Sequence, residues 1–332
     1  MKNILVASDS FKGTYSSIEV AEIVRSHLPA DRYNIRSLEI SDGGEGFCSA
    51  MTSALCGEYI NLKVHNPLMK EVNAVYGIAG ETAIIEIAQA SGLSLLMPEE
   101  YDAWNATSYG TGEMIAHAYH KGIRRFIIGL GGSATTDCGE GMLQAVSDIV
   151  NLDECHFTIA SDVSNPLCGE HGAAHVFARQ KGADDGMIEQ LDRRLNEFGR
   201  QLERTTGKRI IDLPGAGAAG GIGAALLSFK NTEMVSGIDL LLDAVHFEQM
   251  LREIDMVITG EGRIDCQTLF GKAPYKIATR SIKQGVPCIA LYGKLQLTDE
   301  QIKSSPWSGM IQIDELSAER LEIFSELIVQ KL

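Results

Sequence analysis

The same order of elements occurs near both ends of the chain, and this pattern constrains the fold more than any other feature. Residues 3–8 are apolar and favour a strand, polar residues then break it, and the Ser-x-x-Glu capping box at Ser16 predicts a helix. Residues 255–259 predict a buried strand, 260–265 a polar loop and 273–284 a helix. Strands that alternate with helices build a parallel sheet covered by helices, because right-handed crossovers connect its strands.

Further strands complete this outer sheet. They are expected near 34–40, 286–292 and 310–313, with helices near 46–56 and from about 317. Five parallel strands commonly take the order 2-1-3-4-5. The sequence therefore predicts an α/β fold with a flavodoxin-like parallel-sheet domain.

The middle of the chain has a different pattern. Residues 59–65, 71–79 and 82–87 follow one another with only short turns between them, which predicts an antiparallel meander. An alternating parallel sheet does not need such a meander. We therefore expect a discontinuous flavodoxin-like domain of residues 1–60 and 240–332, interrupted by a second, inserted α/β domain of residues 61–239.

Length and charge exclude several classes of protein. The chain has 332 residues, more than one hydrophobic core usually serves, and 45% of them are hydrophobic. It has no apolar run near the ~20 residues that span a bilayer, so we expect no membrane partner. A net charge of −15 repels a phosphate backbone, so nucleic acid is not an expected partner either.

The cysteines and the N-terminal segment indicate a cytoplasmic protein. The 7 cysteines are scattered and never form a Cys-x-x-Cys pair, which is typical of reduced thiols rather than a disulfide framework. The first apolar segment is too short for a signal-peptide core.

Polar, glycine-bearing loops follow several strands of the outer domain. In the order 2-1-3-4-5, the loops at Asp9–Gly13 and Gly260–Asp265 flank the point where the strand order reverses, which is where ligands bind in such sheets. Asp42 and Lys294 lie on the same rim. The alternative is that Asp-Gly and Gly-Gly pairs here only form turns.

The inserted domain carries the glycine-rich segment Gly129–Gly141, between a strand at 125–128 and a helix. Such a turn exposes backbone N–H groups at the positive end of a helix, which suits an anion such as phosphate. The P-loop signature and the protein-kinase elements His-Arg-Asp and Asp-Phe-Gly are absent from the sequence.

Two other patterns offer alternatives. Gly129-x-Gly131-x-x-Ala134 and Gly215-x-Gly217-x-x-Gly220 match the dinucleotide fingerprint, and they leave an NAD(P)-dependent oxidoreductase open. The first has no clear acidic strand end about 20 residues later, and the second follows a proline rather than a strand. Cys168-x-x-His171-x-x-x-His175 has the spacing of metal ligands, but no second cluster completes a zinc site.

Nine short motifs are spread along most of the chain. They are Asp9–Gly13, Asp42–Gly46, Ile85–Leu93, Tyr109–Glu113, Gly131–Thr135, Asp162–Leu167, Gln180–Ala183, Pro214–Gly221 and Thr259–Lys272. In identity and order they resemble the type I glycerate kinase family. The resemblance implies ATP-dependent phosphorylation of D-glycerate, usually to 2-phosphoglycerate. A non-catalytic sensor of glycerate or nucleotide is the other alternative.

The sequence departs from the family pattern in places. The family's Asp-Pro-Leu-Gly-Arg stretch corresponds to Asn66–Lys70, and Cys138 occupies a position where glycine is usual. Lys70 keeps the positive charge of arginine but not its bidentate geometry. The chain is also shorter than typical members near 147–157 and at the C-terminus, and we expect such a shortened loop to alter lid closure or substrate selection.

Phosphoryl transfer needs cations, carboxylates and phosphate-facing amides, because it depends mainly on positioning and charge stabilisation. For this chemistry we assign Lys12 and Lys272 to the transferred phosphoryl group. Arg263 is assigned to the glycerate carboxylate or a phosphate. Asp42 or Asp162 is the expected base for the hydroxyl proton.

The remaining candidate residues bind the metal and the substrates. The candidate Mg²⁺ ligands are Asp137, Glu261 and Asp265, and the alternative for each carboxylate is that it caps a helix or orients a turn. The candidate substrate- and nucleotide-binding residues are Asp9, Ser10, Gly43, Gly44, Gly131, Gly132, Ser133, Thr135, Gly217, Gly220, Gly221, Gly260 and Gly262. We expect the site in a cleft between the two domains, where closure excludes water from ATP.

Overall fold

The computed structural model describes residues 1–11, 14–317 and 319. It divides into two compact units, the first formed by Met1–Asp42 and Leu241–Leu332 and the second by Gly43–Leu240. Lys12 lies outside the described residues, as does nearly all of the helix expected from about 317.

Eleven strands and twelve α-helices are described. The strands are β1 (Lys2–Val6), β2 (Tyr33–Ser37), β3 (Glu58–His65), β4 (Glu71–Ala79), β5 (Thr82–Glu86), β6 (Arg125–Gly129), β7 (His156–Ala160), β8 (Thr232–Val235), β9 (Met256–Ile264), β10 (Cys288–Leu295) and β11 (Gly309–Gln312). The helices are α1 (Ser17–His27), α2 (Phe47–Ala54), α3 (Ala88–Ser91), α4 (Tyr109–His120), α5 (Glu140–Val146), α6 (Ala173–Phe177), α7 (Asp185–Thr206), α8 (Ile222–Ser228), α9 (Gly237–Ala244), α10 (Phe247–Met250), α11 (Ala273–Lys283) and α12 (Asp299–Ser304).

The first unit contains a five-stranded sheet in the order β11-β10-β9-β1-β2. All of its pairs are parallel. When its strands are numbered along the chain, this is the order 2-1-3-4-5, so the predicted flavodoxin-like topology is confirmed. Its core is built from buried side chains of β1, α1, β9, β10 and β11.

The capping box that predicts α1 is present. The side chain of Ser16 accepts a hydrogen bond from the backbone N–H of Glu19, and the Glu19 carboxylate accepts one from the backbone N–H of Ser16. These bonds satisfy backbone donors that have no partner within the helix. Val20, Ala21 and Val24 then bury one face of α1.

Strand β9 is longer than the sequence predicts. The expected polar loop at 260–265 is wrong for Gly260–Ile264, which continue the strand and pair with Leu291–Leu295 of β10. The expected end of β10 near 292 is wrong for the same reason. Backbone pairing overrides the turn preference of glycine here, and a Cβ added at Gly260 would lie 2.5 Å from the carbonyl oxygen of Leu291.

The second unit contains a six-stranded sheet in the order β3-β4-β5-β6-β7-β8. The pairs β3–β4 and β4–β5 are antiparallel, which confirms the predicted meander. The pairs from β5 to β8 are parallel. One large core covers this sheet, with Tyr76, Phe126 and Phe157 among its fully buried side chains.

The boundary between the units lies after Asp42 rather than after residue 60. Helix α2 belongs to the second unit because it packs against β4 and β5. The Cys48 thiol donates to the carbonyl oxygen of Ile84, and β3 pairs with β4 over its whole length. The sequence pattern favours the later boundary because α2 follows a strand of the first unit in the usual alternation.

Within the described part of the chain, no helix is long and apolar enough to cross a membrane. The longest helix, α7, begins at the N-cap Asp184, whose side chain accepts from the backbone N–H of Met187. It ends at Gly207, whose φ of 72° is typical of a helix C-cap.

Candidate functional sites in the two units

Three parallel strands of the second unit end along one edge of its sheet. Strand β5 ends at Glu86, β6 at Gly129 and β7 at Ala160, and these three residues lie side by side in register. The carboxyl edge of a parallel sheet is where ligand-binding loops gather. Asp162, an exposed candidate base, follows β7 at this edge.

The glycine-rich segment after β6 lies against the segment Gly43–Gly46. The backbone N–H of Gly131 donates to the carbonyl oxygen of Gly43 over 2.8 Å. A Cβ added at Gly131 would lie 2.1 Å from the Cα of Gly44, and one at Gly43 would lie 2.6 Å from the carbonyl oxygen of Ala160. Gly43, Gly44 and Gly131 therefore allow two protein backbones to approach each other, whereas Gly132 is exposed.

Asp137 organises this segment through hydrogen bonds. Its carboxylate accepts from the backbone N–H and hydroxyl of Ser108 at 2.8 and 2.7 Å, and from the backbone N–H groups of Gly139 and Gly141 at 3.0 and 3.2 Å. Oδ2 accepts three of these bonds and Oδ1 accepts one, so the carboxylate fixes the entry to α4 and α5. The role of Asp137 as a magnesium ligand stays a prediction.

The motif Pro214–Gly221 packs against the glycine-rich segment and its surroundings. Cβ atoms added at Gly217 and Gly220 would lie 2.3 and 1.9 Å from the carbonyl oxygens of Pro166 and Thr135. One added at Gly221 would lie 2.8 Å from the Cα of Cys138. These three glycines are expected to approach a phosphate, but in the structure they approach protein backbone.

Lys181 is a buried cation beside the glycine-rich segment, and sequence reasoning did not place it in the site. Its amine donates to the hydroxyl of Ser133 over 3.0 Å and to the carbonyl oxygen of Thr135 over 2.6 Å. Burial lowers the pKa of Lys181 to about 7, against the opposing effect of Asp137. The available signal was the motif Gln180–Ala183, which contains this lysine.

Glu86 is a buried carboxyl group at the same sheet edge, and sequence reasoning missed it too. Its side chain accepts from the backbone N–H of Cys48 over 3.2 Å, at the start of α2. Burial raises the pKa of Glu86 to about 7, and the backbone N–H groups of Gly46, Phe47 and Cys48 oppose this rise. The signal in the sequence was one acidic residue inside the apolar run Ile84–Ala88.

In the first unit, Asp9 joins the end of β1 to β9. Its backbone N–H donates to the carbonyl oxygen of Gly260 over 2.9 Å, and its carboxylate accepts from the backbone N–H of Ser10 over 2.7 Å. Asp42, the other expected base, is the last residue of the first unit before the crossing to the second. The structure thus places Asp9, Ser10 and Gly260 together at the predicted switch point.

The far end of β9 carries a cluster of charged residues. Glu261 accepts a short hydrogen bond from the hydroxyl of Thr268, and its other carboxylate oxygen lies 4.0 Å from the Lys272 amine. Arg263 lies 3.3 Å from the carboxylate of Asp265. Glu261 is 12% exposed and Lys272 38%, so the pair faces solvent on the lysine side.

Strand β9 and the turn before α11 position the residues of this cluster. The hydroxyl of Thr268 also accepts from the backbone N–H of Asp265 over 3.1 Å, which connects Asp265 to Glu261. Lys272 is the N-cap residue of α11. Four expected residues are therefore brought together here, and Gly262 lies in the strand between two of them.

Whether Mg²⁺ fits these carboxylates depends on the side chains that surround them. Within the described residues, no group of three or more His, Cys, Asp or Glu side chains could hold a metal ion. Mg²⁺ is commonly bound by only one or two carboxylates together with phosphate oxygens and waters. Glu261 and Asp265 fit that second arrangement, since each offers carboxylate oxygens and both are connected to the hydroxyl of Thr268.

The two alternative patterns lack the expected structural context. The fingerprint at Gly215 follows α7 and not a strand, and ten residues separate the end of β6 at Gly129 from the start of α5 at Glu140. Around the Cys168 pattern, the backbone N–H of Gly169 donates to Asp192, and His171 accepts at its carbonyl oxygen from Asn165.

An open surface depression of about 600 Å³ lies elsewhere on the second unit. Its lining includes the carboxylates of Glu99, Glu100 and Asp102, together with Tyr101 and Trp104. Lys70, one of the positions that depart from the family pattern, forms an exposed ion pair with Glu100 over 2.7 Å. Carboxylates repel anions, so this depression does not suit a phosphorylated or carboxylate ligand.

Comparison with known proteins agrees with these features. A model described as the glycerate kinase family matches residues 4–149 and 146–326. A glycerate kinase of Haemophilus influenzae is 40% identical over 325 residues, covering 88% of this chain and 86% of that protein. A glycerate 2-kinase of Escherichia coli K12 is 40% identical over 326 residues, covering 88% and 85%.

A solved structure has the same fold. The crystal structure from Salmonella typhimurium LT2 that is assigned to glycerate kinase 2 superposes with a TM-score of 0.77. It is 36% identical and covers 99% of this chain and 96% of its own. This similarity extends over both units.

Proposed function

The chain belongs to the glycerate kinase family, and we propose that this kinase transfers the terminal phosphoryl group of ATP to the 2-hydroxyl of D-glycerate, with Mg²⁺ as its cofactor. The observation that carries the proposal is the cluster at the end of β9, where Lys272 and Arg263 lie beside Glu261 and Asp265. Cations beside carboxylates meet the main requirement of phosphoryl transfer, which is charge stabilisation by positioned groups.

The cations of the first unit bind the negatively charged groups of the substrates. The Lys272 amine, held near Glu261, stabilises the negative charge on the transferred phosphoryl group. Arg263 is 61% exposed on its side chain, so it can form a bidentate contact with the glycerate carboxylate or with a phosphate. The role of Lys12 as a second phosphate-binding cation stays a prediction from the sequence.

The second unit supplies backbone groups for a phosphate. Gly132 is exposed at the turn after β6 and has a φ of 73°, and it has no side chain to block the approach of a phosphate to its backbone N–H. Ser133 and Thr135 are held behind this turn by Lys181. Gly43, Gly44 and the three glycines near α8 contribute by fixing the shape of the turn.

Proton removal from the substrate hydroxyl is assigned to Asp42 or Asp162. A loose transition state develops little charge on the attacking oxygen, so a modest base is sufficient. We expect one of the variants Asp42→Asn and Asp162→Asn to lose at least ~100-fold in kcat. Asp148→Asn, an exposed carboxylate of the same unit as Asp162, is the matched control. Full turnover by both variants would refute the base assignment.

Glu261 and Asp265 are the residues proposed to hold Mg²⁺. When bound, the ion neutralises charge on the phosphate oxygens. Glu261 itself orients Lys272 and Thr268. We therefore expect Glu261→Gln to bind both Mg²⁺ and phosphate more weakly.

The direct test follows product formation. The purified protein is mixed with D-glycerate, ATP and Mg²⁺, ADP release is followed, and the product is coupled to enolase without added mutase. ADP release with an immediate enolase signal supports the 2-position. ADP release without that signal would point to the 3-position, and no ADP release would refute the proposed substrates.

Two lysine variants test whether the activity depends on the charged cluster at the end of β9. Lys272→Met removes the amine beside Glu261, and we expect kcat/KM to fall at least ~100-fold. Lys283→Met removes an exposed lysine from the other end of the same helix, and its activity is expected to stay within about twofold of the wild type.

A further inference from the structure

Lys181 is an unusual residue because its amine is buried in the second unit. It ends the 3-10 turn Arg179–Lys181 that follows α6, and it is 2% exposed. Its amine donates to the hydroxyl of Ser133 and to the carbonyl oxygen of Thr135. Both partners are neutral, so neither balances the charge of an ammonium group.

The nearby carboxylate is already used by other donors. Asp137 is the charged side chain that acts on the Lys181 amine, but its oxygens accept from Ser108, Gly139 and Gly141. A buried ammonium that lacks a dedicated carboxylate partner costs free energy. We expect a protein to retain such a costly buried charge where the charge helps to bind a ligand.

The backbone in front of Lys181 is open to solvent. Ser133 and Thr135 are buried, whereas Gly132 is exposed, and a Cβ added at Gly132 would meet only the Cβ of Ala88 at 3.3 Å. The hydroxyls of Thr135 and Thr136 are buried and have no hydrogen-bond partner among the described residues. Polar groups without partners in one short segment indicate a ligand or water that completes them.

We propose that Lys181 makes the turn at Gly132 the anion-binding element of the second unit, because its ammonium group donates to the side chain of Ser133, the residue that follows Gly132. Lys181 acts as a positioning and charge-supplying residue through Ser133 and Thr135 and does not itself contact the ligand. The inference rests on the proposed function only in taking ATP as the anion.

The proposal makes the affinity for an anion depend on the protonation of Lys181. Burial lowers the pKa of this amine to about 7, so the free protein loses the charge as the pH rises above neutrality. A bound anion favours the charged form and raises the pKa. Wild-type affinity is therefore expected to fall as the pH rises from 6 to 9, beyond any change caused by other groups.

The test compares variants by calorimetric titration with ATP. Lys181→Gln keeps a hydrogen-bond donor but removes the charge, and Lys181→Met removes both. Lys208→Gln is the matched control, because the Lys208 amine also donates to two carbonyl oxygens, those of Leu227 and Phe229, at the end of α8. The ratio of wild-type to variant affinity cancels the titration of ATP itself.

We expect both Lys181 variants to bind ATP at least ~10-fold more weakly than the wild type at pH 6, and the ratio to approach one at pH 9. Lys208→Gln should bind as the wild type does at both pH values. If Lys181→Met does not fold, Lys181→Gln decides the question. If that variant also fails to fold, the wild-type affinity between pH 6 and 9, measured with sulfate as a non-titrating anion, decides it.

Unchanged affinity in a folded Lys181→Gln variant would overturn the proposal, as would a ratio independent of pH or sulfate affinity that stays constant from pH 6 to 9. The outcome is separate from that of the kinase assay. A protein that binds ATP in this pH-dependent way but does not phosphorylate D-glycerate would retain the inference and lose the proposed substrate. A D-glycerate kinase whose Lys181→Gln variant has an unchanged KM for ATP would retain the function and lose the inference.

Discussion

Replacing Glu86 by glutamine should change how stability depends on pH. Glu86 is 2% exposed, and burial raises its pKa to about 7 from the ordinary value of 4.5. Between these two values the folded protein holds a proton that the unfolded chain releases. Stability therefore falls as the pH rises through this window and levels off above the folded pKa. Glutamine remains neutral and still offers a carbonyl oxygen to the N–H groups at the start of α2.

The size of the effect follows from the two pKa values. Each pKa unit corresponds to about 1.4 kcal/mol, so a shift of this size costs the wild type about 3 kcal/mol at high pH. Most of this cost appears between pH 5 and 8. We expect the free energy of unfolding of Glu86→Gln, relative to the wild type, to increase by about 2.5 kcal/mol from pH 5 to pH 8.

The measurement should report on the second unit alone. The chain has two tryptophans, of which Trp104 lies in the second unit and Trp307 in the first. In a Trp307→Phe background, urea unfolding followed by the emission of Trp104 reports on the unit that contains Glu86. Comparing the two proteins at each pH cancels the titration of every other group.

Glu81→Gln is the matched control, because Glu81 is exposed in the turn between β4 and β5. Its difference from the wild type should stay within about 0.5 kcal/mol at both pH values. If the difference for Glu86→Gln were equally constant, the carboxyl group would not titrate near neutrality and the reasoning from its burial would be refuted.

Three further changes test local features of the fold by urea unfolding. Met69 has a φ of 59° and is 50% exposed, so Met69→Gly should relieve backbone strain and stabilise the protein by about 0.5–1 kcal/mol; a loss of stability would contradict this. Gly131→Ala would place a Cβ 2.1 Å from the Cα of Gly44 and should cost ~2 kcal/mol or more, whereas Gly186→Ala, whose Cβ meets only a side-chain oxygen at 3.5 Å, should not destabilise. Ser16→Ala removes the capping box of α1 and should cost about 1 kcal/mol, and an unchanged midpoint would argue against a stabilising cap.

Local patterns in the sequence were enough to predict the sheet of the first unit. Its strands alternate with helices, and a single order is favoured for five parallel strands, so the topology follows from periodicity and connection rules. The loop at 260–265 could not be predicted correctly in the same way. Its glycines and charged residues are typical of turns, but pairing with β10 keeps Gly260–Ile264 extended.

The glycine-rich segments show a second limit of prediction from sequence. Their spacing is typical of a phosphate-binding turn, and Gly132 does lie exposed at such a turn. The same residue type at Gly131, Gly217 and Gly220 serves contacts between backbones that are distant in the chain. Periodicity carries no information about such contacts. Lys181 was missed for the same reason, since its burial depends on long-range packing.

The two departures from the family's glycine pattern share a backbone conformation. Met69 and Cys138 have φ values of 59° and 56°, in the left-handed region that favours glycine. In both places neighbouring hydrogen bonds maintain the turn. The Asn66 side chain accepts from the backbone N–H groups of Leu68 and Lys70, and the backbone N–H of Cys138 donates to the carbonyl oxygen of Gly220. Because these bonds do not depend on glycine, loss of the glycine costs ~1–2 kcal/mol of stability at each position and leaves the shape of the turn in place.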